Sequence, residues 1–195
     1  MIKRTYVPFS KRIKIAANLC LVVIVIEVIN QFTGGFFRSF GIIPRNISGL
    51  GGIVFAPFLH SGLIHLFSNI VPLFILTLLL LGHGLTRFIL VFSSTAIIGG
   101  LLVWFLGRDA NHIGISGVIY GLFGYLVVAG FISREFKLLM ISCLVAFMYG
   151  GLIFGILPIL PQVSFESHLF GLIIGIIMAF ILGKDPSYKT KITKQ

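Results

Sequence analysis

Charge is scarce in this 195-residue chain, and acid is scarcest: five Asp and Glu stand against 15 Lys and Arg, and the four types together make up only 10% of residues. With 57% of residues apolar, a domain folding in water could not be clothed in polar surface. Cysteine is nearly absent. Cys20 and Cys143 both fall in apolar runs, which argues against a disulfide framework or a cysteine-based metal site and leaves them as inert packing or lipid-facing residues. There is no internal repeat and no separate soluble domain. A formal charge of +10 would suggest nucleic acid in a soluble protein. Here the cations gather in the tails and short loops, where they act as topology signals and, secondarily, attract anionic headgroups. No nucleic-acid partner is expected.

Long apolar runs are what the chain has instead. Hydrocarbon about 30 Å thick needs about 20 helical residues, and six stretches near that length occur at 15–32, 63–82, 86–106, 115–132, 137–157 and 165–183. The first is too long, and lacks the small-residue cleavage pattern, for a signal peptide. The expected fold is an all-α integral membrane protein, a six-transmembrane-helix bundle. Six crossings put both termini on one side. With that side cytoplasmic, the inside holds Lys3, Arg4, Lys11, Arg12, Lys14, Arg87, Arg134, Lys137, Lys184, Lys189, Lys191 and Lys194, and the outside only Arg38, Arg45 and Arg108. The organisation expected is a multi-pass protein of the cell membrane with a cytoplasmic tail 1–14, a membrane domain 15–183 and a basic cytoplasmic tail 184–195. Residues 33–60, rich in Gly and Phe, are too broken for a span and too apolar for a solvated linker, so they are expected in the outer interface. Asn46-Ile47-Ser48 matches a glycosylation acceptor, a triplet common by chance.

Polar residues inside spans are expensive and point to function. Four stand out: His65 and Asn69, one turn apart near the start of the second span, Ser116 at the start of the fourth, and His168 at the start of the sixth. These spans run in the same direction, so all four residues lie near the outer face. Gly117, Gly121 and Gly124 follow Ser116, and Gly171 and Gly175 follow His168, at helical spacing. Helices bearing small residues approach closely in lipid, which would bring the Ser116 hydroxyl to the His168 ring. A serine hydroxyl needs such a base to become a nucleophile. Tyr120, one turn after Ser116, is placed to pack on the imidazole. His65, Asn69 and the backbone N–H of Ser116 are the available donors for an oxyanion. Glu166 reads as a helix-start residue with Ser164 as its N-cap, and Asp109 sits in an outer loop, so a Ser-His dyad fits better than a triad.

With those residues the chain resembles the rhomboid intramembrane serine proteases of the minimal six-helix type. The matching residues are His60, His65 and Asn69 in and before the second span, Gly114-Ile115-Ser116-Gly117 with Tyr120 in the fourth, and His168, Gly171 and Gly175 in the sixth. The resemblance covers essentially the whole chain. It implies Ser116 as nucleophile, His168 as base, His65 and Asn69 as oxyanion donors, Gly114, Gly117, Tyr120, Gly171 and Gly175 as support, and no metal or cofactor. It further implies cleavage of transmembrane protein substrates near the outer membrane face, among membrane lipids. One departure is a Trp-Arg pair that many members carry in the first loop, where this chain has Gly51 and Gly52.

The rival readings are a catalytically inactive rhomboid-like protein that binds transmembrane helices and a small transporter, which would show broken helices or paired charges at midplane. Pseudoenzymes of the first kind usually lack the serine or the histidine, and both are here. His60 is expected to tie the loop down, and His83 and His112 to be interfacial. Glu27, alone in the first span, receives no role. The fifth span, weakened by Gly150, Gly151 and Gly155, is the expected lateral gate, with Phe147 and Phe154 packing toward the second span.

Overall fold

Pro8 opens the first helix, at a position where its missing N–H costs nothing. The computed structural model describes residues 6–183, in which six helices long and apolar enough to cross a bilayer run Phe9–Phe32, Leu63–Leu81, Leu85–Leu106, Ser116–Ser133, Phe136–Ile156 and Phe165–Gly183. No strand occurs among the described residues, only an isolated antiparallel bridge between Ile42 and His112. The protein is an all-α membrane bundle of six spans. The first helix starts six residues before the apolar run, because caps set the length of a helix whereas hydrocarbon sets the length of a span. Arg12, on its first turn, donates from Nε to Val7 O at 2.7 Å. The expected tail 184–195, with Lys3 and Arg4, lies outside the described residues.

The fourth span is the core of the bundle. It buries Val118, Ile119, Tyr120, Leu122, Phe123, Tyr125 and Leu126, side chains facing all round the helix, as a helix enclosed by others must. Its closest partner is the sixth span. A methyl group on Gly171 would overlap the Gly117 carbonyl, one on Gly175 the Gly121 carbonyl, and one on Gly124 would stand 2.8 Å from Leu172 O. Backbone therefore meets backbone along this seam, and the first turns of the two helices are side by side. The third span unwinds into a π-helical turn at Thr95–Gly99, and Thr95 presses on Gly121, where a methyl would not fit.

Residues 33–62 fold into short helical turns, Phe36–Phe40, Ile47–Gly49, Gly52–Phe55 and Ala56–Phe58. Glu27 anchors them. It is fully buried, accepts from Asn30 Nδ2 at 3.1 Å and from Gln31 Nε2, and lies 3.9 Å from the Arg38 guanidinium, while Asn30 Oδ1 accepts from Phe37 N at 3.0 Å. The residue left without a role thus ties the loop to the first span. Gly52 packs on the Gly41 and Ile42 backbone, with no room for a side chain.

Other expectations change. His83 and His112 sit at span ends but are buried rather than interfacial: His112 exchanges hydrogen bonds with Ser164 Oγ (2.6 Å) and Arg108 O (3.1 Å), and His83 stacks edge-on against Tyr125. Arg87, counted above as a loop cation, is buried and donates to His83 O at 3.1 Å. Cys20 is buried and Cys143 exposed. The fifth span is α-helical to Tyr149 and 3₁₀ over Gly150–Ile156, and it is the least buried of the six. Phe147 and Phe154 are 90% and 68% exposed, so they do not pack against the second span. Lipid and a neighbouring helix are equally apolar to a phenylalanine, and residue type alone does not separate them.

Candidate active site

Ser116 is the first residue of its helix, and His168 lies in the first turn of the sixth span. The glycine seam sets these turns together, and Ser116 Oγ lies 2.7 Å from His168 Nε2. His168 Nδ1 lies 2.9 Å from the Gly155 carbonyl oxygen. A carbonyl only accepts, so Nδ1 carries the proton, and Nε2 is left bare to accept the Ser116 O–H. Tyr120 stacks flat on the imidazole, centroids 4.1 Å apart and planes within 8°, and donates its own hydroxyl to Leu152 O at 2.7 Å. Ser116, Tyr120 and His168 are brought together as expected.

His65 reaches the same end of the bundle from the second span. Its Nδ1 faces Ser61, 3.1 Å from Oγ and 3.5 Å from the backbone N–H. Since that N–H only donates, Nδ1 is the acceptor and Nε2 bears the hydrogen. The Nε2 side of the ring faces Gly114, whose φ of +119° suits glycine. A methyl group there would stand 3.0 Å from His65 Nε2 and 3.7 Å from Ser116 Oγ, so the bare glycine keeps open the gap between the two side chains. Asn69 is buried below, and its Nδ2 donates to His65 O at 2.7 Å, holding the turn that presents the histidine. That bond uses one of two amide hydrogens. The backbone N–H of Ser116, at the helix start, has no partner within its own helix and adds the helix-dipole field.

His60 is fully buried and packs edge-on against His65 at 4.9 Å. Burial first, then neighbouring His65, pushes its pKa down to about 4, partly offset by the Phe58 backbone. Neither ring nitrogen finds a partner at strict hydrogen-bond geometry, and the ring steadies the loop, the role expected of it, by packing on His65 and by its approach to the Phe58 backbone. Glu166 does not reach His168. It is buried and accepts from Arg108 N at 3.2 Å, with Arg108 Nε 3.5 Å away, while Arg108 also donates to Pro161 O and Val163 O. Ser164 Oγ meets Ser167 Oγ and His112 rather than capping the helix backbone. The Gly155 carbonyl, Ser61 and this Arg108 cluster escaped the sequence reading; Arg108 and Glu166 are 58 positions apart, so nothing local in the sequence pairs them.

A family model described as the Rhomboid domain matches residues 48–185. An uncharacterized protein of Mycobacterium tuberculosis is 36% identical over 179 residues, covering 87% of this chain and 74% of its own length. A second, from Mycobacterium leprae, is 37% identical over 180 residues, covering 87% and 70%. The rhomboid protease GlpG of Yersinia pseudotuberculosis is 32% identical over 127 residues, covering 63% of this chain and 45% of that protein.

Proposed function

The chain belongs to the rhomboid family, and from that premise we propose that it is an intramembrane serine endopeptidase working through a Ser116-His168 dyad. The observation that carries the reading is the 2.7 Å contact from Ser116 Oγ to a His168 Nε2 left unprotonated by the Gly155 carbonyl. As Ser116 Oγ attacks the scissile carbonyl carbon, its proton passes to His168 Nε2. The carbonyl oxygen takes up the electron pair, and His65 Nε2–H, the free Asn69 amide hydrogen and the Ser116 N–H stabilise that charge. His168 then returns the proton to the leaving amine, giving an acyl-enzyme. Water, deprotonated by the same histidine, releases the acid and restores Ser116.

The substrates are transmembrane proteins cut near the outer face, where a helix must unwind before its carbonyl can be attacked, so small or helix-breaking residues should be preferred there. In this reading both termini are cytoplasmic, residues 15–183 form the membrane domain between tails 1–14 and 184–195, and loop 33–60 lies in the outer interface. Exposed Phe36, Ile47, Val54 and Phe55 support that last assignment. A fluorophosphonate probe on purified protein in detergent tests the chemistry: wild type should label and Ser116→Ala should not. Labelling that survives the substitution would assign the nucleophile elsewhere.

A further inference from the structure

No carboxylate orients His168, since the nearest acid in sequence, Glu166, is engaged by Arg108. What holds the imidazole is one turn of a different span. Gly155 O accepts from Nδ1 at 2.9 Å, and three residues earlier Leu152 O accepts the hydroxyl of Tyr120, the ring stacked on His168. We propose that the outer turn of the fifth span, residues 152–155, is the positioning element of the base, its Gly155 carbonyl selecting the tautomer of His168 that can take the Ser116 proton. The inference rests on the protease reading above and extends it to a span that contributes no reacting atom.

Two further observations support it. Gly155 is glycine by necessity, because a methyl group there would overlap Tyr120 Oη and stand 3.2 Å from His168 Nδ1. Apart from Leu152, which packs on the core, the turn has little else to hold it: it is 3₁₀ rather than α, belongs to the least buried span, and follows Gly150 and Gly151, which have open space around them. A rigid element could hold a base with less dependence on its surroundings. Here the bonds that make His168 competent sit on the segment that packs least. Outward displacement of this turn therefore breaks both bonds at once, freeing the imidazole to rotate or to exchange its proton to Nε2. In that state Ser116 faces a donor and is not activated. A substrate helix that pushes the turn aside meets a dormant serine until the turn returns, which couples cleavage to closure rather than to arrival.

The test combines Gly155→Ala, Tyr120→Phe and the double variant, assayed by fluorophosphonate labelling and by hydrolysis of a small soluble ester. The alanine methyl drives the turn off His168, so Gly155→Ala should lose 10-fold or more in kcat with KM within about twofold. Tyr120→Phe removes the oxygen that the methyl strikes. The double variant should then recover to the level of Tyr120→Phe alone, whereas a merely structural glycine would give additive losses. In parallel, ¹⁵N shifts of His168, assigned by difference from His168→Ala, should report the Nδ1-protonated tautomer in wild type and a mixture in Gly155→Ala. Labelling of folded Gly155→Ala within twofold of wild type, absence of rescue, or an Nε2-protonated wild type would each overturn the proposal. A wild type that does not label at all would instead sink the protease reading, leaving the tautomer measurement to judge this one.

Discussion

Removing Ser116, His168 or both should leave the protein about equally inactive, because the hydroxyl and the imidazole share one proton and neither has work without the other. Asn69→Ala should behave differently. It takes away one proposed donor, and the bond that holds the His65 turn, with the dyad intact, so kcat should fall by about 10²-fold while KM changes little, since these donors would act mainly in the transition state. Full activity in Ser116→Ala, or melting temperatures that fall in step with activity across the set, would mark the cluster as structural. His60 gives a prediction of another kind. Its folded-state pKa, about 4, lies below the unfolded value near 6.5, so the unfolded chain binds the extra proton between them. The sign follows: stability is intact above about pH 6.5 and declines as pH falls toward 4. His60→Phe should flatten the melting curve over that window, and an unchanged pH dependence would refute the assignment. The sequence displayed these side chains because polar groups in apolar runs are conspicuous. It hid the Gly155 carbonyl because every residue has one, and hid the role of Glu27 because Arg38, and the Phe37 amide that bonds its neighbour Asn30, arrive only when the loop folds back.

At the scale of elements, helical spacing of small residues predicted which faces would meet, and the seam of Gly117, Gly121, Gly171 and Gly175 is where the fourth and sixth spans touch. Side-chain absence is informative in lipid, since only a missing Cβ permits backbone contact. Gly171→Ala should therefore wedge the helices apart at the level of the dyad, with an overpacking cost of about 1–3 kcal/mol and at least a tenfold loss of fluorophosphonate labelling at temperatures where the protein stays folded. Unaltered labelling in a folded variant would mean the seam does not set the Ser116-His168 distance. Phenylalanine carries no comparable signal, and Phe147 and Phe154 turn to the outside instead of to the second span. Arg108 poses the converse case, a loop cation whose bonds to Pro161 O, Val163 O and Glu166 fasten the connection between the fifth and sixth spans. Arg108→Ala should speed proteolytic cutting within 157–164 severalfold, and equal rates would show that the loop is held by its other contacts.

Across the whole molecule, six spans were countable because hydrocarbon thickness fixes their length, whereas helix ends were not, because Pro8 rather than the membrane begins the first. Orientation remains an argument from charge. The cation bias survives the burial of Arg87, since Lys11, Arg12, Lys14, Arg134 and Lys137 still sit at one end of the bundle while Arg38, Arg45 and Arg108 sit at the other. The site lies at the second end, with Ser116, His168 and His65 each at the start of a span that runs away from it. A single cysteine tests this directly in a chain whose only two native ones are replaceable: with Cys20→Ala and Cys143→Ala as background, Ile47→Cys, 82% exposed at the loop surface, should react with a membrane-impermeant maleimide in intact cells. A reporter fused to either terminus should be readable only from the cytoplasm. Were the loop shielded and the termini external, the site would open to the cytoplasm. Cleavage at the outer face would then be impossible for this chain even if the dyad proved fully active.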